Sequence, residues 1–562
     1  MSRSHSFGIW ANLLMGTLMC LSYQPVWAQN LTDRVDEFLR SRIEVAGVPP
    51  KIWVGEEIIY SSFALPLFYE RRAYRPAWSD DAGSLMLIDD LIGAISRAEQ
   101  EGLRPADYHL AKLQTILSKL RQNQQKGLPP DPRRLADLDL LATDAFLILG
   151  SHYLAGRINP ETIDPEWIAN RREAHLEDIL QKALDSQGIA AALEELLPQQ
   201  PGYARLREAL RHYRDLAAPG GWPAVPEGAK LQKGDRNPRV SALRTRLRAE
   251  GVLSEDPAGA LDLFDDNLDG AVRHFQRRHG LDVDGIVGRA TLAALNVSAL
   301  ERSYQIEVNL ERWRWLPESL GKRHIIVNIA GFELDVIESG HSALAMRVVV
   351  GRDYRRTPVF SDKITYVVLN PHWEVPLNIA IQDKIPLILK DPEYLSKEKM
   401  KVLQGWGAET REIAPETIDW SRVTEKNFAY RLRQDPGPLN ALGRVKFMFP
   451  NKFNVYLHDT PSRELFARSE RTFSSGCIRV EKPMQLAEYL LRGDPNWTGE
   501  KILAAINKGI EQTIRLPEPT PIHLLYSTAW VSQDGVINFR RDIYGRDKLL
   551  ADALREEPPD SD

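Results

Sequence analysis

Cysteine is scarce in this sequence: the 562 residues include two, Cys20 and Cys477. Secreted proteins that depend on disulfides carry paired cysteines, whereas a solitary cysteine is either a small buried apolar residue or a reactive thiol. Because Cys20 falls in an N-terminal segment that we expect to be removed, Cys477 has no partner for a disulfide in the mature chain. The residues around Cys477 must therefore indicate whether its role is structural or chemical.

Residues 1–28 are typical of a secretory signal. Arg3 gives a basic start, an apolar run extends from Phe7 to Leu21, and Ala28 is the small residue after which we expect cleavage. The apolar run is shorter than the ~20 residues of a membrane-spanning helix, so an uncleaved anchor is the less favoured alternative. We expect the mature protein to be exported.

The sequence also lacks a large excess of charge of one sign and long apolar runs. The formal net charge is -5 with 27% charged residues, and no basic run with interleaved aromatic residues occurs, which argues against a nucleic-acid partner. We find no stretch after residue 28 that looks long and apolar enough to cross a bilayer, so no membrane span is expected in the mature chain. A hydrophobic share of 43% is typical of globular proteins, and the length predicts three or four domains.

Local patterns divide the chain into segments. Apolar residues at spacings of three and four predict a helical scaffold domain over residues 29–217, and a Pro- and Gly-rich stretch predicts a linker over 218–230. Residues 231–298 form a compact unit of amphipathic helices. Strand-like runs begin near Arg323, and we place a β-rich domain at 299–505.

Two further segments accompany the β-rich domain. A helical, charged stretch over about 381–433 interrupts the strands, and an insertion of that length is often a lid or a substrate-binding element. Residues 506–562 follow as a C-terminal extension, in which Asp534-Gly535 predicts a β-hairpin that flanks the sheet domain. The expected fold class is multidomain α+β, with a helical lid inserted in the β-rich domain.

The compact unit contains an acidic stretch that imitates a calcium loop. The first, third, fifth and sixth positions of such a loop are filled by Asp265, Asn267, Asp269 and Gly270. The twelfth position is Gln276, where a calcium loop needs a bidentate glutamate, so we reject calcium. His274 and His279 lack a third ligand at a suitable spacing, and we predict no metal site.

Residues 271–295, AVRHFQRRHGLDVDGIVGRATLAAL, resemble the small three-helix peptidoglycan-binding module that many wall enzymes carry. The Phe-Gln pair, the Gly-Leu, the Asp-Gly and the Gly-x-x-Thr fall in the order of that family. The resemblance implies a binding function for the module, which unrelated hydrolases also carry.

Cys477 lies in RTFSSGCIRV, residues 471–480. The nucleophile of a cysteine is its thiolate, and a cysteine with an unperturbed pKa of ~8.5 is mostly protonated at neutral pH, so it needs a base. His458 in VYLHDT is the candidate base, because an imidazole exchanges protons near neutrality. Gly476 permits a sharp turn beside the thiol, which allows the amides of Gly476 and Cys477 to face an oxyanion.

The spacing from His458 to SSGCIR at residues 474–479 resembles the signature of the YkuD-type L,D-transpeptidase catalytic domain. MRVVVGRDYRRTPVF at 346–360 and NPHWEVP at 370–376 fall upstream in the order of the family. This resemblance covers roughly His324 to Leu491. With its helical region, module and insertion, nearly the whole mature chain is similar to the large periplasmic murein L,D-transpeptidases of Gram-negative bacteria.

The resemblance implies a reaction, a partner and a location. Cys477 would be acylated by the tetrapeptide stem of peptidoglycan with release of D-Ala, and the amine of a neighbouring stem would then form a 3-3 cross-link. His458 would donate and accept the protons, Gly476 would supply an oxyanion-hole amide, and the backbone carbonyl of Asp459 or Ser475 would orient the imidazole. No metal or organic cofactor is implied, the location is the periplasm, and we expect a monomer.

Two residues depart from the commoner family motif: the motif has His where this chain has Ser475, and Asn where this chain has Arg479. The large murein subclass is similar to this sequence at both positions. Arg479 either binds a substrate carboxylate or, as we favour, supports the loop through a carboxylate of the protein. Ser474 is a second candidate for substrate binding.

Other cysteine enzymes fit the sequence less well. Papain-like sites place the cysteine before its histidine, and the one histidine after Cys477 is His523, in the tail. A sortase needs a Thr-Leu-x-Thr pattern before its cysteine, which is absent. An L,D-carboxypeptidase and a transpeptidase that attaches a lipoprotein share the same acyl-enzyme and stay open, as does a non-catalytic wall-binding protein.

Overall fold

The structure is a computed structural model that describes residues 30–47, 51–168, 171–253 and 261–556. The signal expected at 1–28 lies outside these residues. The first part of the chain is helical, apart from a small hairpin of strands β1, Trp53–Val54, and β2, Glu57–Ile58. Its α-helices are Leu31–Glu44, Ala64–Arg71, Ile88–Arg97, Leu110–Gln125, Pro132–Ala155, Pro160–Ile163, Leu176–Ser186, Ile189–Glu195 and Pro201–Ala217.

Helix Pro132–Ala155 lies at the centre of this scaffold. Asp131 caps it by accepting a hydrogen bond from the Arg133 amide, and Pro132 suits the first helical position, where an N–H would have no partner. By length and composition this helix could cross a membrane, which corrects the expectation that no such stretch exists. However, 89% of its apolar 18-residue window is buried within the protein, as in the central helix of a globular domain.

Helix Ala299–Arg314 belongs to the scaffold by its packing. Ile306 and Leu310 lie in the scaffold core, and the helix packs along Pro201–Ala217. The β-rich domain therefore begins at its first strand, at Arg323, rather than at 299. The reason is that the apolar face of this helix is buried against other helices.

The peptidoglycan-binding-like unit has the three helices that its sequence predicts, Pro238–Ala249, Asp266–Arg278 and Arg289–Leu295, around a small core of its own. The acidic stretch at its centre caps a helix: the Asp265 carboxylate accepts from the Leu268 amide at 2.9 Å and pairs with Arg244 at 2.7 Å. Within the described residues, no group of three or more His, Cys, Asp or Glu side chains could hold a metal ion.

The remaining strands follow in the last part of the chain. They are β3 Arg323–Asn328, β4 Glu333–Glu338, β5 His341–Gly351, β6 Phe360–Leu369, β7 Trp373–Glu374, β8 Met400–Gln404, β9 Arg411–Ile413, β10 Arg431–Gln434, β11 Val445–Met448, β12 Leu457–His458, β13 Thr472–Ser474, β14 Ile478–Val480, β15 Gln512–Leu525, β16 Ala529–Val531 and β17 Ile537–Phe539. The α-helices of this part are Leu377–Ile379, Ile385–Lys390, Tyr394–Lys397, Pro483–Leu491, Gly499–Asn507 and Arg546–Ala553.

In the described part of the chain, nine strands form the main sheet in the order β13-β5-β14-β12-β11-β6-β15-β3-β4. Strand β4 also pairs with β5, so the sheet closes on itself. The pairs β12–β14, β13–β5 and β15–β3 are parallel. Alternate apolar residues of the strands share one core with helices Pro483–Leu491 and Gly499–Asn507.

The C-terminal residues are part of this domain. Strand β15 pairs with both β6 and β3, so a boundary at 505 would remove a central strand, and the expected extension over 506–562 is corrected accordingly. The hairpin expected at Asp534-Gly535 is confirmed by the pairing of β16 with β17. Its apolar residues pack on the scaffold core, rather than merely flanking the sheet domain.

The insertion is larger than 381–433 and contains strands as well as helices. Strands β7, β10, β8 and β9 form a four-stranded sheet in that order. Trp373, Ile388 and Leu432 belong to a separate core beneath it. Because β7 precedes the stretch and β10 lies at its end, their pairing folds the whole segment as one unit.

Candidate active site

Three neighbouring strands bring basic side chains and a histidine to one face of the main sheet. The pairing of β11 with β12 sets Lys446 opposite His458, and the pairing of β12 with β14 sets His458 opposite Arg479. Directly paired residues lie on the same face, so these three side chains form a row. Leu457 and Ile478, on the other face, are fully buried in the core.

Cys477 directly precedes β14, and it is a half-buried, free cysteine. Tyr456 directly precedes β12, two residues before His458, and by the alternation of extended backbone it faces the same side. The Cys477 thiol donates to the Asn454 carbonyl at 3.9 Å, and the nearby Tyr456 lowers the pKa of this thiol. The rings of Tyr456 and His458 are 5.7 Å apart between centroids. The pairing of β12 with β14 therefore places the cysteine and the histidine that the sequence indicates on neighbouring segments.

One hydrogen bond fixes the His458 ring. Nδ1 lies 2.6 Å from the carbonyl oxygen of Asp459, and because a carbonyl accepts, Nδ1 carries the proton and Nε2 keeps its lone pair. The Asp459 carboxylate is itself held, by the Arg444 amide at 2.9 Å and by Arg463 at 3.1 Å. Of the two carbonyls expected to orient the imidazole, that of Asp459 makes the contact.

Burial keeps both reactive groups neutral. Burial first, and then the positive charges of Arg479 and Lys446, lower the pKa of His458 from 6.5 to about 3. Burial also raises the pKa of Cys477, although the neighbouring Tyr456 and the two nearby cations act in the opposite direction. The resting site is therefore a neutral thiol beside a neutral imidazole.

The loop before Cys477 is held by its own polar groups. Gly476 has a φ of +110°, in the left-handed region that favours glycine. Its amide donates to Ser474 Oγ at 3.2 Å, so in this structure it does not face a substrate, contrary to the expected oxyanion role. Its carbonyl accepts from Thr357 Oγ1 at 2.9 Å. Ser474 is 2% exposed and holds the loop, which corrects its assignment to substrate binding.

Ser475 connects the cysteine loop to the insertion. Its hydroxyl accepts from Arg355 Nη1 at 3.0 Å, and its backbone carbonyl is not the one that holds His458. The same guanidinium pairs with Asp383 and donates to Gln382 at 2.7 Å, both in the insertion. Our sequence interpretation missed Arg355, although it lies within the upstream segment that resembles the family.

Arg479 has no carboxylate partner among the described residues, and its Nε has no hydrogen-bond partner. The support of the loop by Arg479 through a carboxylate stays a prediction: no ion pair of Arg479 is seen among the described residues, although the charge of Glu464 acts to raise the pKa of Arg479. Lys446 was also missed, and its Nζ lies 3.8 Å from the centroid of the Tyr456 ring. The period-two alternation of Val445, Lys446 and Phe447 could have placed it on the face opposite the core.

The fold and the site together define a β-rich domain with an oriented imidazole, a free thiol and two cations that form no ion pair among the described residues. Such an arrangement suits attack on a carbonyl that develops negative charge. Comparison with known proteins finds three domain matches. Residues 322–497 match the "L,D-transpeptidase catalytic domain" (YkuD), residues 236–295 the "Putative peptidoglycan binding domain", and residues 64–210 the "Scaffold domain". The chain therefore contains a YkuD-type L,D-transpeptidase catalytic domain joined to a peptidoglycan-binding domain, and the expected mixed fold class is confirmed.

Curated relatives match parts of the chain. A Haemophilus influenzae protein named "Putative L,D-transpeptidase" is 36% identical over 246 residues, which cover 44% of this chain and 48% of that protein. The "N-acetylmuramoyl-L-alanine amidase CwlM" of Mycobacterium tuberculosis is 43% identical over 91 residues, which cover 15% of this chain and 21% of that protein. The chain thus spans about half, or less, of the length of these relatives.

Solved structures of L,D-transpeptidases are also similar. One from Xylanimonas cellulosilytica is 15% identical and covers 53% of this chain and 99% of its own, with a TM-score of 0.17. One from Stackebrandtia nassauensis is 12% identical and covers 54% of this chain and 96% of its own, with a TM-score of 0.21. The family assignment rests on the domain matches rather than on these superpositions.

Proposed function

We propose that this protein is a peptidoglycan L,D-transpeptidase that forms 3-3 cross-links through Cys477. The observation that carries the proposal is the parallel pairing of β12 with β14, which sets His458 beside the strand that follows Cys477. The Asp459 carbonyl then leaves His458 Nε2 as the basic nitrogen. The matches to catalytic and peptidoglycan-binding domains support peptidoglycan as the partner.

Acylation begins with a neutral thiol. Cys477 Sγ attacks the carbonyl of the third, diamino-acid residue of a tetrapeptide stem while His458 Nε2 takes the thiol proton. A C–S bond forms, the C–N bond to D-Ala breaks, and the proton passes from His458 to the leaving amine. The products of this half-reaction are a thioester and free D-Ala.

Deacylation reverses the proton path. The side-chain amine of a neighbouring stem attacks the thioester carbonyl and gives its proton to His458. A C–N bond forms, the C–S bond breaks, and His458 returns the proton to the Cys477 sulfur. The new bond joins the third residues of two stems.

The two cations give this site its charge selectivity. Lys446 and Arg479 flank His458 without carboxylate partners among the described residues, so a negative group can approach without displacing an ion pair. They stabilise the tetrahedral oxyanion electrostatically and attract the carboxylates of the stem. The Cys477 amide is our remaining candidate for a direct oxyanion donor.

A cell-wall substrate places the enzyme outside the cytoplasm, and we propose the periplasm of a Gram-negative bacterium. The expected signal at residues 1–28 is consistent with that location. N-terminal sequencing of the secreted protein would find Gln29 first if cleavage follows Ala28.

The decisive experiment supplies purified disaccharide-tetrapeptide and weighs the products. A dimer that has lost one D-Ala supports cross-linking, whereas tripeptide alone would identify an L,D-carboxypeptidase. We expect Cys477→Ala to abolish turnover and His458→Ala to lower it by ~10²–10⁴-fold. Full activity in the Cys477→Ala variant would show that the wrong residue was chosen.

Two other functions remain distinguishable. Attachment of a lipoprotein would require an amine on a protein acceptor, and its product would be protein bound to tetrapeptide-derived tripeptide. A non-catalytic wall-binding protein would not be acylated, so incubation with a carbapenem tests it. A stoichiometric mass increase at Cys477 supports an enzyme, and no adduct on reduced protein favours the binding protein.

A further inference from the structure

The cysteine loop packs on the connection between β5 and β6, residues 352–359. This connection turns sharply where it leaves β5, because a Cβ added to Gly351 would collide with the Arg355 carbonyl. The turn brings Thr357, which is fully buried, against the backbone of Gly476. No step of the proposed acyl transfer uses Thr357, yet its side chain reaches the residue next to the nucleophile.

The Thr357 hydroxyl makes two hydrogen bonds whose directions are fixed. It accepts from the Gly351 amide at 2.9 Å, since an N–H can only donate. Its one proton is therefore free to donate to the Gly476 carbonyl, which lies 2.9 Å away. A serine could make both hydrogen bonds, whereas valine, which has nearly the same shape as threonine, could make neither.

These hydrogen bonds set the direction of the Cys477 amide. A peptide unit is planar and trans, so the carbonyl oxygen of Gly476 and the N–H of Cys477 point in opposite directions. With the carbonyl directed at Thr357, the N–H is directed away from the connection between β5 and β6. Within the described residues, no backbone carbonyl accepts a hydrogen bond from this N–H. The amide is thus available to an oxygen of the substrate.

The C-terminal segment holds Thr357 in place. The Tyr544 hydroxyl donates to the Gly351 carbonyl at 2.6 Å and accepts from the Thr357 amide at 3.3 Å. Arg546 Nη1 donates to the Thr357 carbonyl at 3.3 Å, and its Nε pairs with Asp164 of the scaffold at 2.6 Å. Tyr544 and Arg546 are both 2% exposed. Both backbone polar groups of Thr357 therefore have a partner from a buried side chain.

We propose that Thr357 is a positioning residue for acyl transfer at Cys477 and that Tyr544 keeps it in position. The inference rests on the proposed function and adds a residue that acts through the backbone without touching the substrate. Gly476 has no Cβ to restrict its backbone, so the peptide between Gly476 and Cys477 needs the hydrogen bond from Thr357 to stay in one orientation. Loss of that hydrogen bond lets the peptide rotate, and the tetrahedral oxyanion then loses its amide donor.

Two reactions of the Cys477 thiol separate this role from a general effect on the fold. Acylation by disaccharide-tetrapeptide passes through an oxyanion, whereas alkylation by iodoacetamide displaces iodide from a CH₂ group and forms none. We expect Thr357→Val to slow acylation at least ~10-fold, because an oxyanion donor is commonly worth ~10²-fold or more in rate. The alkylation rate should stay as in wild type. Mass spectrometry of the full chain measures both rates.

Three further variants complete the test. Thr357→Ser keeps the hydroxyl and should be acylated at the wild-type rate. Thr291→Val removes another buried hydroxyl, which donates to the Ile286 carbonyl at 3.2 Å in the peptidoglycan-binding domain, and it should leave both rates unchanged. Tyr544→Phe keeps the ring but loses both hydrogen bonds of the hydroxyl, so it should slow acylation alone. This last variant carries the test if Thr357→Val does not fold.

The outcomes distinguish the positioning role from the proposed function. Slower acylation in Thr357→Val or Tyr544→Phe, with unchanged alkylation and recovery in Thr357→Ser, supports the positioning role. Parallel loss of both reactions, no recovery in Thr357→Ser, or wild-type acylation in Thr357→Val and Tyr544→Phe would overturn that role alone. A wild-type protein that is alkylated at Cys477 but never acylated would overturn the proposed function, and the positioning role with it.

Discussion

Gly476 has a backbone conformation that other residues adopt at a cost. An added Cβ would meet the Arg356 carbonyl at 3.5 Å, which is ordinary contact, so the penalty of a side chain comes from the φ of +110°. Residues held in such regions cost of order 1–3 kcal/mol. We expect Gly476→Ala to shift the Cys477 loop and to lower the acylation rate at least 10-fold, as measured by single-turnover mass spectrometry.

Gly340 supplies the matched control for this prediction. It also has a positive φ, of +81°, and a Cβ added there would meet no atom within 4 Å, but it lies in the turn between β4 and β5. Gly340→Ala should lose a similar amount of stability and keep its acylation rate. Equal rates in Gly476→Ala and wild type would show that the loop geometry is not critical.

The low pKa of His458 predicts how stability depends on pH. The imidazole titrates at about 3 in the folded chain and near 6.5 in the unfolded chain, so between these values the unfolded state binds the extra proton. Folding stability therefore falls as the pH drops from about 6.5 towards 3. Above pH 6.5 the imidazole is neutral in both states, so His458 makes stability no more dependent on pH there. In urea unfolding from pH 7 to pH 4, His458→Asn should lose less free energy of unfolding than wild type.

His341, an exposed histidine in β5, provides the comparison. His341→Asn removes a histidine outside the candidate site and should give the same stability curve as wild type. Parallel curves for His458→Asn and wild type would contradict the low pKa.

Arg479 is the largest charged contributor to that low pKa. Its positive charge disfavours protonation of the neighbouring imidazole, so Arg479→Gln should raise the pKa of His458, as measured by NMR titration of the ring. Arg492→Gln removes a surface guanidinium that pairs with Glu338 and should leave the titration unchanged. A lower pKa in Arg479→Gln would contradict the electrostatic picture.

At the scale of elements, the insertion is tied to the cysteine loop by one buried guanidinium. The Arg355 side chain is 9% exposed and contacts Ser475, Gln382 and Asp383. Arg355→Gln removes the charge that Asp383 needs, so we expect faster hydrogen exchange in helix Ile385–Lys390 and a raised KM for disaccharide-tetrapeptide.

Arg422→Gln is the control for this element. Arg422 lies in the same insertion, but its side chain is 87% exposed. Its substitution should leave both the exchange and the KM as in wild type. Unchanged exchange in Arg355→Gln would mean that the separate core of the insertion holds it without this contact.

Local patterns predicted elements whose contacts are close in sequence. The three helices around Asp265 and the hairpin at Asp534-Gly535 depend on caps and turn residues, which a short window contains. The insertion was bounded too narrowly because its edges are set by β7 and β10, two short strands far apart in the chain. Such pairs have little local signal.

The candidate site could be predicted from the sequence to a similar extent. A solitary Cys477, an upstream His458 and a neighbouring glycine could be found from residue chemistry and spacing. The roles of Ser474, Ser475 and Arg479 could not, because they depend on which polar groups tertiary packing brings within reach.

At the scale of the whole molecule, the last strand of the sheet is indispensable. Ile522 in β15 is fully buried between β6 and β3, so Ile522→Asp places a charge in the core and should destabilise the domain by ~3 kcal/mol or more. Ile510, just before β15, is 70% exposed, and Ile510→Asp should change the free energy of unfolding by less than ~0.5 kcal/mol. Chemical denaturation of both variants checks the difference.

The late position of β15 in the sequence also determines when the main sheet can be completed during synthesis. Asn328 and Ser527, which are hydrogen-bonded beside β3 and β15, are 199 residues apart in the chain. A nascent chain that has reached the insertion exposes the open edges of β3 and β6, and both stay unpaired until β15 emerges from the ribosome or the translocation pore. Late emergence of one strand thus creates an interval in which chaperones and proteases compete for the unfinished sheet.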